Sequence, residues 1–225
     1  MANEKEKEAA ARASVRLVHD GDVVGLGTGS TAAYVVKCLG ERVQAGLKIV
    51  GIPTSVRTQE LAMSLGIPLT TLDECQQIDV AIDGADEFDP QLQLIKGGGG
   101  ALLREKIIAS AARQFVVITD STKQVPMLGA FPLPVEVIPF AEALVAKKIA
   151  AMGAQVSLRQ CEGKSFITDE GHHILDCRFG KIPDPRALAR KLSDTPGVVE
   201  HGLFIDMASM VLLGKGDEVV ELRRK

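Results

Sequence analysis

The first half of the chain alternates short apolar strands with helical stretches, and this alternation constrains the fold more than any other feature. Residues 23–27, 48–52 and 78–82 have buried-strand patterns, with helical patterns around them. Such alternation is typical of βαβ units, whose right-handed crossovers build a mostly parallel sheet with helices on both faces. We therefore predict an α/β protein. Residues 67–72 are predicted as an edge strand, because Pro68 lacks the N–H that an inner strand needs.

A second region begins near residue 130. Residues 131–134 read Phe-Pro-Leu-Pro and mark a junction, since prolines punctuate regular structure. Short strands and two helical patterns follow, which predicts a small α+β unit. Residues 211–214 and 218–222 are predicted as strands that return to the first sheet.

Composition excludes several classes of function. The 225 residues carry a formal net charge of -3 and 46% are hydrophobic. Lysines and arginines are scattered and there is no Trp, so we predict no nucleic-acid partner. No apolar run is long enough for a membrane span. Residues 1–13 lack the apolar region of a signal peptide and the four cysteines match no zinc spacing, so we predict a cytoplasmic protein with reduced thiols.

The segment 25–31 reads Gly-Leu-Gly-Thr-Gly-Ser-Thr, between a predicted strand and a predicted helix. Glycines let a phosphate approach the backbone, and hydroxyls add donors. The alternative is a tight turn whose hydroxyls cap the helix. A dinucleotide site is disfavoured, because the third glycine of its motif is replaced by Ser30 and no acid follows the next strand. The candidate phosphate-binding residues are Thr28, Gly29, Ser30 and Thr31.

Two polar segments follow the predicted strand 78–82. The first, Asp-Gly-Ala-Asp-Glu at 83–87, lies where ligands bind in open α/β sheets, at the carboxyl end of a strand. Its alternatives are a turn-capping Asp83 and a solvated Glu87. The second, Lys96 with the glycines 97–100, is predicted to form an anion nest beside a positive charge, and its alternative is a flexible connection. The candidate residues are Asp83, Gly84, Ala85, Asp86, Lys96, Gly97, Gly98 and Gly99.

Three further positions carry titratable groups. Glu105 lies one turn into a predicted helix, where the helix dipole favours a carboxylate that can act as a base; its alternative is an ordinary surface glutamate. Lys123 follows a buried strand and contacts either a substrate anion or solvent. His172 and His173 alternate across a predicted hairpin, so they are interpreted as surface and edge residues, and no metal site is predicted.

In these motifs the sequence resembles the ribose-5-phosphate isomerase family of type A. The resemblance covers nearly the whole chain in order. It rests on Gly-Thr-Gly-Ser-Thr at 27–31, Asp-Gly-Ala-Asp-Glu at 83–87, Lys-Gly-Gly-Gly at 96–99, Arg-Glu-Lys at 104–106, Ser-Thr-Lys-Gln at 121–124 and Phe-Pro-Leu-Pro-Val-Glu-Val-Ile-Pro at 131–139.

The resemblance implies interconversion of ribose 5-phosphate and ribulose 5-phosphate, a step of the non-oxidative pentose phosphate pathway, without metal or cofactor. It implies a Rossmann-like domain at 1–130 and 208–225, a ferredoxin-like domain at 131–207, and a homodimer or homotetramer. Glu105 matches the catalytic base. The other catalytic candidates are Lys96, Asp83 and Asp86. Lys123 matches a substrate-binding position, and Lys7 a basic phosphate contact.

Two other functions remain open at the level of sequence. A non-catalytic sugar-phosphate sensor would use the same phosphate loop. An acyl or CoA transferase on a similar glycine-rich scaffold would also use a glutamate. Turnover of ribose 5-phosphate or of a thioester distinguishes them.

Overall fold

The computed structural model describes residues 2–224, so Met1 and Lys225 of the predicted first domain lie outside the described part. The helices are α1 (Ala2–Ser14), α2 (Ser30–Gln44), α3 (Val56–Ser64), α4 (Leu102–Ala111), α5 (Glu142–Ala151) and α6 (Pro185–Ser193). The strands are β1 (Val23–Leu26), β2 (Val50–Pro53), β3 (Ile78–Gly84), β4 (Glu87–Phe88), β5 (Leu94–Ile95), β6 (Ala112–Asp120), β7 (Leu133–Val137), β8 (Gln155–Leu158), β9 (Gln160–Cys161), β10 (Lys164–Ser165), β11 (His173–Arg178), β12 (Val198–His201), β13 (Leu203–Phe204), β14 (Met210–Lys215) and β15 (Glu218–Arg223).

The chain divides into two compact units. The first contains residues up to 85, 104–123 and from 207 onward, and the second contains 86–103 and 124–206. Residues 86–103 belong to the second unit, where β5 pairs with β13 and β4 pairs with the other edge of β5. The sequence predicted domain boundaries at 130 and 207, which place residues 86–103 in the first domain. That division remains a prediction.

The first unit is an α/β layer structure around a sheet of order β15-β14-β6-β3-β1-β2. All its pairings are parallel except that of β14 with β15. Val24 and Leu26 face the core shared with α1 and α2, whereas Gly25 between them faces Ile108 of α4. Helices therefore cover both faces of the sheet, as predicted.

Two predicted strands of this unit have different outcomes. The C-terminal strands β14 and β15 do return to the first sheet. Residues 67–72 do not form a strand: Leu69 makes an isolated parallel bridge with Gly51. Pro68 offers only a carbonyl, which accepts the Gly51 amide hydrogen bond, and so the pairing does not extend.

The second unit contains a four-stranded sheet of order β12-β7-β11-β8 with antiparallel pairings. Its chain order is β7-α5-β8-β11-α6-β12, the connectivity of a ferredoxin-like fold. Val135, Val145 and Leu175 belong to the apolar core of this unit. Asp184 caps α6 by accepting a hydrogen bond from the Ala187 amide, with Pro185 in the first turn, as the sequence predicts. Within residues 2–224, no helix is both long and apolar enough to span a membrane.

Helix α1 is fixed to the first sheet by a buried carboxylate. Glu6 is 7% exposed. Its Oε1 accepts a hydrogen bond of 2.8 Å from the Gly216 amide, and its Oε2 accepts bonds of 2.9 and 2.8 Å from the Ser121 amide and hydroxyl. These bonds, the one from Gly216 foremost, lower the pKa of Glu6 below its ordinary value of 4.5.

We expect Glu6→Gln to lower stability at pH 7 by about 2 kcal/mol, because the charge is lost and the NH2 group of glutamine cannot accept the hydrogen bonds that one carboxylate oxygen accepts. A lowered pKa stabilises the fold fully above 4.5, and this contribution disappears as the pH falls through the folded-state pKa. The difference in Tm between wild type and variant should therefore shrink below that pH. Glu8→Gln, which removes an exposed partner of Arg12, is the control and should change Tm little. A gap in Tm that stayed constant down to pH 3 would contradict the assignment.

Candidate active site

The loop after β1 is shaped by contact with Asp83, at the carboxyl end of β3. Asp83 is 3% exposed. Its Oδ1 accepts hydrogen bonds of 3.1 Å from the Thr28 amide and 2.7 Å from the Gly84 amide. A Cβ on Gly27 would meet Asp83 and lie 2.6 Å from the Ile82 carbonyl oxygen, so only glycine allows this approach. The two predicted segments 25–31 and 83–85 are thus brought together in the first unit, where the strand order reverses.

The Thr28 hydroxyl lies in a cluster of hydroxyl groups. It donates to Ser55 Oγ at 2.8 Å, and Ser55 Oγ donates to Thr58 Oγ1 at 3.0 Å. Thr58 Oγ1 donates in turn to the Gly27 carbonyl at 3.0 Å. Thr54 Oγ1 is 2.7 Å from Thr28 Oγ1. This cluster holds the loop from its protein side, and the sequence alone did not indicate it.

The start of α2 carries the exposed part of this loop. Gly29 precedes the helix with φ of 109°, and no side chain caps the N-terminus. The predicted alternative, a turn whose hydroxyls cap the helix, is therefore wrong. Ser30 is exposed and Thr31 half-buried. Lys7 of α1 donates to Ser30 Oγ at 3.3 Å, which adds a cation at a helix end that already favours anions.

Glu105 lies in the first turn of α4 and is 4% exposed. The helix packs on the sheet through Ile108, one turn later: a Cβ on Gly25 would lie 2.5 Å from Ile108 Cγ2 and 2.8 Å from Ala81 Cβ. Small residues in β1 and β3 thus let α4 approach closely. The alternative of an ordinary surface glutamate is wrong, because burial of a carboxylate is costly and needs compensation or a use.

Lys123 ends the short 3-10 turn Ser121–Lys123, after β6, and is half-buried. The hydrogen bonds of Ser121 to Glu6 connect this turn to α1. Glu6 is adjacent in sequence to Lys7, so one buried carboxylate orders the backbone beside two candidate phosphate-binding lysines.

The glycine segment of the second unit forms a tight turn. The Gly100 amide donates to the Gly97 carbonyl at 3.0 Å, and Gly97 and Gly100 have φ of 100° and 82°. The Gly98 amide donates to Asp86 Oδ2 at 2.7 Å, and a Cβ on Gly98 would lie 2.5 Å from Asp86 Oδ1. Gly98 and Gly99 are exposed. The segment is therefore an ordered turn that is hydrogen-bonded to Asp86. The predicted alternative, a flexible connection, is wrong.

Lys96 precedes this turn and is 2% exposed. Its amide donates to the Gly202 carbonyl at 2.9 Å, and its Nζ lies 5.5 Å from the centre of the Phe204 ring. An ammonium over an aromatic face is stabilised by the ring quadrupole. A charged group held this far from solvent acts more strongly on nearby developing charge than a surface lysine would.

Glu87, the last residue of the segment 83–87, has a structural role. Glu87 is 4% exposed and is not a solvated charge. Its Oε2 accepts from the Gly129 amide at 2.8 Å and its Oε1 from the Phe131 amide at 2.5 Å. Glu87 therefore fixes the proline-marked junction within the second unit.

Other polar contacts of the second unit were not predicted from the sequence. Arg159 contacts the carbonyls of the glycine turn. Glu136, 1% exposed on β7, accepts hydrogen bonds from Thr168 at 2.9 Å and contacts His172 Nδ1 at 3.0 Å. Burial raises the pKa of Glu136. His172 is thus the partner of a buried acid and not a simple surface residue. Among the described residues, no group of three or more His, Cys, Asp or Glu is placed to hold a metal ion.

In the first unit, a helix start that favours anions and the buried carboxylate of Glu105 are features of enzymes that move protons on small phosphorylated molecules. The second unit has a glycine turn that follows a buried lysine, Lys96. Comparison with known proteins identifies the family. The family model for ribose 5-phosphate isomerase A (phosphoriboisomerase A) matches residues 50–218. The chain belongs to the ribose 5-phosphate isomerase A family.

Relatives match over nearly full length. The Ribose-5-phosphate isomerase A of Ruegeria sp. (strain TM1040) is 55% identical, covering 98% of this chain and 87% of its own. That of Parvibaculum lavamentivorans is 52% identical, covering 96% and 97%. A solved D-ribose-5-phosphate isomerase in complex with phospho-erythronic acid is 43% identical with a TM-score of 0.96, covering 100% of both chains. The enzyme of Methanocaldococcus jannaschii is 44% identical with a TM-score of 0.94, covering 98% and 99%.

Proposed function

We propose that this chain interconverts D-ribose 5-phosphate and D-ribulose 5-phosphate in the non-oxidative pentose phosphate pathway. Glu105 takes the proton from C2 of the open-chain aldose, which gives an enediolate, and returns it to C1. The O2 hydroxyl proton moves to O1, so no net electron or atom is gained. One carboxylate can serve both carbons because they are adjacent.

The burial of Glu105 carries this proposal. A glutamate on the surface would be hydrated like any other carboxylate. Glu105 is only 4% exposed, because α4 packs closely on the sheet. Burying the carboxylates of Asp83 and Glu105 and the ammonium of Lys96 costs free energy, which is expected where such groups act on a ligand. Proton transfer between adjacent carbons needs no metal or cofactor.

Phosphate recognition is assigned to the segment Thr28 to Thr31, with Lys123 and Lys7. Thr28 already uses its amide and its hydroxyl proton within the protein. We therefore assign it the role of shaping the loop, and assign the donor role to the first amides of α2 and the Ser30 and Thr31 hydroxyls. Binding energy from the phosphate then orients the sugar for proton transfer.

The remaining residues act at the sugar. Lys96 and amides of the glycines 97–99 stabilise charge that develops on the enediolate oxygen. Asp83 and Asp86, with Gly84 and Ala85 between them, bind sugar hydroxyls and assist opening of the furanose ring. The structure anchors these carboxylates differently, Asp83 on the Thr28 amide and Asp86 on the Gly98 amide.

The function is tested by a coupled assay of ketose formation from ribose 5-phosphate, with and without EDTA. We expect turnover that EDTA does not change. Binding of ribose 5-phosphate without turnover would favour the sugar-phosphate sensor. Turnover of an acyl-CoA thioester in place of isomerisation would favour the transferase. Phospho-erythronic acid is expected to inhibit competitively.

We also propose a homodimer or homotetramer, supported by exposed apolar side chains on the second unit. Phe140 is 98% exposed, Leu144 56% and Ile167 63%. We expect Phe140→Asp to weaken self-association at least about tenfold, since buried aromatics dominate interface energies. Sedimentation velocity measures this. Met63→Asp is the control, because Met63 is an exposed apolar side chain of the first unit, 63% exposed. If self-association were unchanged in Phe140→Asp, this surface would not be the interface.

A cytoplasmic location completes the proposal. Cys38, Cys75, Cys161 and Cys177 are all free thiols. Reduced cysteines are the normal state in the cytosol. Cell fractionation with an epitope-tagged chain tests the location.

A further inference from the structure

Arg159 follows β8 and is held by a carboxylate of β11. Its Nε donates to Asp176 Oδ2 at 3.0 Å and its Nη2 to Asp176 Oδ1 at 2.5 Å. The side chain is 14% exposed, and its guanidinium lies 5.9 Å from the centre of the Phe166 ring. Two parallel hydrogen bonds to one carboxylate, with an aromatic ring nearby, fix the plane of the guanidinium.

The remaining guanidinium nitrogen faces the glycine turn. Arg159 Nη1 donates to the Gly97 carbonyl at 2.9 Å and to the Gly98 carbonyl at 3.2 Å. The Gly98 amide donates to Asp86 at 2.7 Å. In a planar trans peptide the carbonyl and the N–H point in opposite directions. Both ends of the Gly97–Gly98 peptide are therefore fixed, one by Arg159 and the other by Asp86.

The next peptide follows from the same geometry. Because the Gly98 carbonyl faces Arg159, the Gly99 N–H is directed away from it. Glycine has more backbone freedom to lose than any other residue. The hydrogen bond within the run, from the Gly100 amide to the Gly97 carbonyl at 3.0 Å, leaves the Gly98 and Gly99 peptides to be oriented by contacts outside it. Phe166 adds contact: a Cβ on Gly100 would lie 2.6 Å from its Cε1.

We propose that Arg159 is a positioning residue for the isomerisation: it holds the Gly97–Gly98 carbonyls so that Asp86 and the Gly99 amide keep the orientation that the reaction needs. This rests on the proposed function. The cation also polarises the two peptides, which makes their N–H groups better donors. Lysine is only a partial replacement, because one ammonium cannot make the paired hydrogen bonds to Asp176 and also reach both glycine carbonyls.

The experiment compares Arg159→Met, Arg159→Lys and Asp176→Asn with wild type. We measure kcat and KM for ribose 5-phosphate per active site, inhibition by phospho-erythronic acid, inhibition by inorganic phosphate, and amide hydrogen exchange of the peptide covering residues 96–101. Arg42→Met is the matched control, because Arg42 also binds backbone carbonyls, those of Val15 and Val18, away from the glycine turn.

We expect Arg159→Met to lower kcat by between about 10- and 100-fold, with KM within about threefold of wild type. Phospho-erythronic acid should bind more weakly, whereas inhibition by inorganic phosphate should not change. Amide hydrogen exchange in residues 96–101 should become faster. Arg159→Lys and Asp176→Asn should show smaller losses in the same direction. Arg42→Met should lower Tm without changing kcat or exchange at 96–101.

A kcat within twofold of wild type in Arg159→Met, or a lower kcat with unchanged exchange at 96–101, would overturn the proposal. Failure of the proposed function is recognised separately, since the wild-type chain would then not isomerise ribose 5-phosphate. In that case the exchange measurement alone still decides whether Arg159 holds the turn. If Arg159→Met does not fold, Asp176→Asn and Arg159→Lys carry the same readouts.

Discussion

Glu105→Gln is expected to lower kcat by between about 10²- and 10⁴-fold, with little change in KM. Glutamine keeps the size and the hydrogen-bonding reach of the side chain, so the packing of α4 through Ile108 should be preserved. It has no basic oxygen that can take the C2 proton. The loss should therefore appear in the chemical step and not in binding.

Proton NMR in deuterated buffer measures the step directly. Wild type should exchange a carbon-bound hydrogen of the sugar with solvent during isomerisation, and Glu105→Gln should lose this exchange together with kcat. Glu136→Gln is the control, because it also replaces a carboxylate that is 1% exposed, in the second unit. Its kcat should stay within about threefold. More than about a tenth of wild-type kcat in Glu105→Gln would exclude Glu105 as the base.

Lys96→Met is expected to lower kcat by between about 10²- and 10³-fold, the range found when one donor to a developing oxyanion is removed. Methionine fills the space of the stem against Phe204 but has no charge. The enediolate is more anionic than the sugar, so the transition state loses more than the ground state and KM should change less than kcat.

Steady-state kinetics and phospho-erythronic acid inhibition test this second expectation. Binding of phospho-erythronic acid should weaken more than binding of inorganic phosphate, since the acid carries a carboxylate in addition to its phosphate. Lys37→Met is the matched control: Lys37 lies 5.8 Å from the ring centre of Tyr34, and the proposal assigns it no role in the chemical step. A kcat loss below about fivefold in Lys96→Met would mean that the charge of Lys96 is not used in the transition state.

Local patterns predicted the features that depend on near neighbours in sequence. The apolar strands β1 and β3, the turn after each, and the Asp184 cap of α6 were all predictable, because side-chain period and turn chemistry are local. The strand at 67–72 was predicted but does not form: Pro68 has no N–H to donate, and Leu69 makes only an isolated bridge with Gly51.

The sequence alone determined the α/β class and the family, and it placed Asp83, Lys96 and Glu105 among the chemically active candidates. It could not decide which polar groups are buried. Glu105 and Glu87 are both acidic residues in motifs, yet one is held by the packing of a helix and the other by two backbone amides.

Tertiary structure alone supplied the partners that lie far apart in the chain. Arg159 is 62 residues from Gly97, and Thr28 is 55 from Asp83. Hydrogen bonds of this kind leave no periodic trace in a sequence, because their geometry arises only when strands from distant segments pair. The sequence thus determined which chemical groups the site has to use, and the folded chain decided which of them are fixed, and by what.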